Sequence, residues 1–100
     1  MTAKTSPPVA TDPLSIAVGE QITRVRERHD LARHQLAKLS GMDANYLWRI
    51  EAGRQNLSLR NVARLANAFG ITLSELLAGI SLDGIDLGRR AYTKANSPDE

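Results

Sequence analysis

The sequence predicts an all-α domain of five short helices with a polar extension at each end. Three observations carry this reading. Apolar residues recur at helical spacing from residue 13 to residue 78, Gly and Asn punctuate the chain every ten residues or so, and four apolar pairs bracket capping positions. A chain of 100 residues with 42% hydrophobic content fills one small core and not two. Any scheme that sets a cofactor domain beside a substrate domain is thereby excluded.

Residues 1–12 are rich in Thr, Ser, Ala and Pro, and Pro7-Pro8 favours extended backbone, so they are expected to form a disordered arm. The first helix is expected over 13–28, with Asp12 as its cap and Pro13 in its first turn. Leu14, Val18, Ile22 and Val25 then share an arc of roughly 80°, away from Glu20, Arg24 and Arg28. The remaining starts are marked by hydrophobic staples, in which the residue before the cap packs on the fourth helical residue. Leu31/Leu36 surround Ala32, Met42/Leu47 surround Asp43, Leu57/Val62 surround Ser58, and Ile71/Leu76 surround Thr72. Helices are expected over 33–40, 44–52, 59–69 and 73–78. Thr72 with Glu75 forms a capping box, whereas Ala32 cannot cap and costs the second helix about 1 kcal/mol. The fourth helix keeps Leu59, Val62, Leu65, Ala66 and Phe69 within about 120° and ends at Gly70.

The link Ser40-Gly41-Met42-Asp43 leaves no room for a wide loop, so the second and third helices must cross steeply. Ala37 is small enough for the close approach, Gly41 supplies the turn, and Leu36, Met42, Leu47 and Ile50 fill the crossing. On the third helix, Leu47 and Ile50 point inward. Ala44, Asn45, Trp48, Arg49 and Ala52 share an outward arc of about 140°.

Charge is distributed unevenly. The whole chain carries +2, but Leu14 to Gly79 holds nine basic and six acidic residues, which places the excess on the helical core region. The absence of cysteine excludes disulfides and thiolate chemistry, and two histidines, His29 and His34, make no metal site at their spacing. No cofactor is expected. The first residues contain no apolar run of the kind a signal peptide or membrane span needs, and a cytoplasmic location is the expectation. There is no nucleophile–base pair, phosphate loop or metal cluster in the sequence, so an enzyme has almost no support.

The stretch LARHQLAKLSGMDANYLWRIEAGRQNLSLRNVARLANAFGITLSELL resembles the Xre/Cro-type helix-turn-helix family of bacterial and phage repressors. With the first helix, the likeness covers roughly two-thirds of the chain. It rests on Leu36-Ala37, Gly41, Ile50, Glu51 and Gly53, Arg54, Asn56, Leu65-Ala66 and the closing Leu-x-x-Leu. It implies a five-helix lambda-repressor-like DNA-binding domain over 13–79 with flexible N- and C-terminal tails, acting as a homodimer on a two-fold operator. Three departures stand out: Arg33 where Gln is usual, Ala32 in place of a Ser or Thr cap, and Leu57 where Pro is common. The wording Asn56-Leu57-Ser58-Leu59 is particularly similar to restriction-modification controller proteins.

Carried over residue by residue, the resemblance puts Ala44, Asn45, Trp48 and Arg49 against base edges, which is the arc left outside by the wheel. Arg forks onto guanine and Asn onto adenine. Arg33, Tyr46, Arg54 and Asn56 are the expected phosphate contacts. Trp48 lies along sugar or thymine methyl surface, in a protein contact, or on the Arg33 stem. Glu51 is expected to pair with Arg26, an architectural role, and Leu77 and Ile80 to form the dimer contact. The alternative function is a protein-interaction module, such as the antitoxin of a toxin–antitoxin pair, with a protein partner. In the tail, 80–100, the alternation from Ile80 to Leu87 about Asp83-Gly84 has the pattern of a short hairpin, against a flexible segment.

Overall fold

The computed structural model describes residues 12–88. The arm before Asp12 and the tail past Gly88 lie outside the described residues. Five helices follow in order: α1 (Pro13–Arg28), α2 (Arg33–Ser40), α3 (Ala44–Glu51), α4 (Leu59–Phe69) and α5 (Leu73–Leu77). Each begins where its cap lies in the sequence. Asp12 Oδ1 accepts from the Ser15 N–H at 2.8 Å, and Asp43 Oδ1 from the Asn45 N–H at 2.8 Å. Ser58 Oγ accepts from the Asn61 N–H, and Thr72 and Glu75 form the reciprocal box. Ala32 has no side-chain acceptor. There Gln35 reaches back, its Oε1 accepting from the Ala32 N–H at 2.7 Å, which recovers half of a capping box. The expected ends of the third and fifth helices shorten by one residue, because Ala52 and Ala78 serve as caps.

Three residues each close one helix and open the next. In the turns after α1, α2 and α4, the N–H of Leu31, Met42 and Ile71 donates back to the carbonyl of Arg26, Ala37 and Ala66. These six-residue closures follow left-handed residues at Asp30, Gly41 and Gly70. The same Leu31, Met42 and Ile71 are the outer halves of the staples on α2, α3 and α5, and all three pack against the core. One apolar residue per corner therefore fixes both an exit and an entry angle, which makes these corners tight.

The core is one cluster, with Ile22, Leu36, Leu47, Ile50, Leu65 and Leu76 fully buried. α1 packs on α3 and α5, α2 on α3 and α4, and α4 on α5. Gly19 is what allows α1 onto α3: a Cβ there would meet the carbonyl oxygens of Ile50 and Glu51. Gln21 is the buried polar side chain of the same helix, and its Nε2 donates to the carbonyls of Leu76 at 2.9 Å and Ala78 at 3.2 Å. These belong to the end of α5, where helical carbonyls lack internal donors. No helix among the described residues is long and apolar enough to cross a membrane.

The hairpin pattern resolves into a turn without a ladder. The Ile85 N–H donates to the Leu82 carbonyl at 3.0 Å, but no strand forms among the described residues. A two-residue hairpin turn of the type favoured by Asp-Gly needs positive φ at both central positions, and here only Gly84 has it. Ser81 Oγ and Asp86 Oδ1 accept from the N–H groups of Asp83 and Gly88, so local bonds replace cross-strand ones.

Candidate nucleic-acid interface

α2 and α3 pack across the tight turn at Gly41, with φ 73°, and α3 is left with one face uncovered. Ala44, Asn45 and Trp48 are exposed on it, with Trp48 at 45%, and Arg49 is half-buried at its edge. Arg33, His34, Ala44, Asn45 and Trp48 line a shallow open cleft between the start of α2 and this face. An exposed indole beside an asparagine and several arginines is a surface that pairs poorly with water alone and well with a polyanion carrying flat bases.

The cations around the face are held in defined places. Arg26 grips Glu51 with two parallel bonds, Nε to Oε2 at 2.7 Å and Nη2 to Oε1 at 3.1 Å, and its Nη1 donates to the Leu31 carbonyl. Arg33 Nε donates to the same Oε1 at 3.0 Å, so one carboxylate joins α1, α2 and α3. The side chains of Glu51 and Arg26 are 4% and 11% exposed, while that of Arg33 is 39% exposed. Arg33, expected as a phosphate contact, is thus first a partner of Glu51 through Nε.

Arg54 lies with its guanidinium carbon 5.9 Å from the Trp48 ring centre, beside the exposed face of α3. Trp48 accordingly has Arg54 as a cationic neighbour, in addition to the Arg33 stem that borders the same cleft. Arg49 donates from Nε to Gln55 Oε1 at 3.2 Å and sits 5.7 Å from the Tyr46 ring centre. Tyr46 is half-buried against the core, and its hydroxyl oxygen accepts from Asn61 Nδ2 at 2.9 Å. Only its hydroxyl hydrogen remains to reach a phosphate. Asn56 is exposed in the loop between α3 and α4.

Leu77 and Ile80, expected as the dimer contact, are half-buried. They line an apolar groove of about 390 Å³ with Leu14, Val18, Leu57 and Leu82, on a different part of the surface from the cleft beside Trp48. Leu39, Leu59, Leu82 and Leu87 are each more than half exposed.

Three of these placements escape a reading of single helices. Gln55, Asn61 and the second bond of Glu51 involve partners that come together only after the turns close. Gly19 offered a signal, a glycine inside an otherwise regular helical pattern, which marks a close backbone approach.

The profile of a helix-turn-helix domain family matches residues 17–78. Control protein C.MunI of a Mycoplasma species is 35% identical over 68 residues, which is 67% of this chain and 92% of that protein. The immunity repressor protein of Bacillus phage phi105 is 34% identical over 62 residues, spanning 62% of this chain and 43% of the repressor. Among solved structures, the restriction-modification controller protein C.AhdI of Aeromonas hydrophila superposes with a TM-score of 0.60 at 35% identity. That match covers 62% of this chain and 94% of the controller.

Proposed function

The chain belongs to the Xre-type helix-turn-helix family of DNA-binding transcriptional regulators, and from that premise we propose that it binds a two-fold operator as a homodimer with α3 in the major groove. The observation that carries this is the uncovered face of α3, where Asn45, Trp48 and Arg49 stand together between Arg33 and Arg54. Asn45 lies near the helix start and Arg49 one turn later, so the two read neighbouring base pairs of a half-site. Arg33, Arg54, Asn56 and the Tyr46 hydroxyl take flanking phosphates, which set register without reading sequence.

Dimerisation rests on geometry and on a surface. One domain presents a single recognition helix of two turns, and linking two half-sites about 34 Å apart multiplies affinity without new contacts. The groove bordered by Leu77 and Ile80 offers the apolar surface for the second copy. The cytoplasm is the compartment this activity calls for, and no step of it needs a cofactor.

Selection of bound duplexes from a random DNA pool tests the proposal. The expected outcome is a two-fold site whose binding weakens roughly a thousandfold between about 50 and 200 mM salt, as neutralisation of six phosphates requires. Recovery of no common sequence, or binding indifferent to salt, would contradict it.

A further inference from the structure

Arg49 is restrained before any ligand arrives. Its Nε is bonded to Gln55 Oε1 at 3.2 Å, and its guanidinium lies beside the Tyr46 ring. Neither terminal nitrogen has a hydrogen-bond acceptor among the described residues. Gln55 is delivered by a turn that closes on Arg49 itself. Gly53 adopts φ 75°, and the Arg54 N–H donates to the Arg49 carbonyl at 2.8 Å, so the chain folds back along the last turn of α3. Tyr46 is fixed in turn by Asn61, whose Oδ1 accepts from Arg64 Nη1 at 3.0 Å. The chain Gln55, Arg49, Tyr46, Asn61, Arg64 runs from the loop after α3 to the exposed side of α4.

Resting on the reading of α3 as the helix that meets bases, we infer that Gln55 is a specificity-determining positioning residue that acts on DNA through Arg49. Reading guanine takes two N–H groups in one plane aimed at O6 and N7. With Nε engaged by Gln55, the two terminal nitrogens are left to form that fork, with the guanidinium carbon 5.7 Å from the Tyr46 ring centre. An untethered arginine has many rotamers to lose on binding and can slide to a neighbouring base or a phosphate. A tethered one loses less and is confined to one base pair. Gln55 is not needed to form the turn, which is closed by backbone bonds from Gly53 to Ile50 and from Arg54 to Arg49. Its side chain therefore serves Arg49.

The test uses the duplex selected by the parent protein and a set of duplexes with each base pair substituted in turn. Gln55→Met keeps the length and removes the acceptor; Gln55→Ala is measured beside it so that the result does not hang on how methionine packs. Both are expected to lose about tenfold in preference at the one base pair per half-site that Arg49→Ala also releases. Preferences at other positions remain those of the parent. Gln55→Glu restores an acceptor oxygen and with it the preference at that base pair, although its added negative charge lowers affinity for every duplex. Parental preference at that base pair in Gln55→Met and Gln55→Ala, or a loss spread evenly over all positions, overturns the inference and leaves the role of α3 standing. A parent without sequence preference overturns the reading beneath it and this inference together.

Discussion

Arg26 and Glu51 meet fork to fork across the α1–α3 contact, at 2.7 and 3.1 Å, in surroundings that leave the carboxylate side chain 4% exposed. Breaking such a pair strands a charge away from water. Glu51→Ala strands two guanidinium groups and Arg26→Ala leaves Glu51 with Arg33 alone, so each is expected to cost about 3 kcal/mol, with Glu51→Ala the larger. Arg33→Ala removes a partly exposed arm and is expected to cost under about 1 kcal/mol. Urea unfolding of the three variants checks the order; equal, small losses would show that the carboxylate is not the junction of the three helices.

The second prediction separates two reasons for glycine. At Gly19 a Cβ would run into backbone carbonyls of α3, which no rotamer change can move. Gly70 has φ 73° but open space around it. Gly19→Ala is expected to destabilise by about 3 kcal/mol through forced separation of α1 and α3, and Gly70→Ala by about 1 kcal/mol through backbone strain alone. Thermal melting that ranks them the other way would contradict the close approach.

How much of this was legible in the sequence depends on the range of each interaction. The helix starts were, because a cap and a staple lie within six residues and need no knowledge of the rest of the fold. The exposed arc of α3 was legible for the same reason. Gln21 lies on the apolar arc of α1 and could have been read as a buried polar group seeking partners, but its acceptors at the end of α5 are 55 residues away. The bond from Arg33 to Glu51 spans 18 residues and that from Gln55 to Arg49 crosses a left-handed turn, so neither shows on a wheel. The Asp83-Gly84 pattern gave the turn correctly and the ladder wrongly, because only Gly84 took positive φ.

A third prediction concerns acid. The Ser15 backbone N–H, bonded to Asp12 Oδ1, holds the Asp12 carboxyl below its ordinary value of 3.8. A depressed folded value means that the cap stabilises α1 fully above the unfolded value and loses that effect as pH falls through the folded one. Melting temperatures of the parent and Asp12→Ala should differ at neutral pH and converge at pH below the ordinary carboxylate value. A gap that persists unchanged into strong acid would show that the carboxylate is not the cap.

The proposed dimer is checked by sedimentation. Leu77→Asp and Ile80→Asp place charges in the apolar groove and are expected to shift the parent dimer toward monomer and to weaken operator binding more than tenfold through lost linkage of half-sites. Leu39→Asp, on an exposed position of α2 outside that groove, is the control and should sediment as the parent does. A parent that stays monomeric both free and on DNA would contradict the proposed assembly.

On the proposed function, α3 reads base identity and the cations beside it do not. Binding-site profiles of Arg49→Ala and Arg54→Ala separate the two roles. Arg49→Ala is expected to cost about 1 to 3 kcal/mol per half-site and to relax preference at one guanine-containing position. Arg54→Ala is expected to weaken all sequences alike and to make the salt slope shallower by about one unit per lost contact. An Arg49→Ala profile identical to the parent's, together with an altered profile for Arg54→Ala, would contradict the assignment of α3 as the reading element.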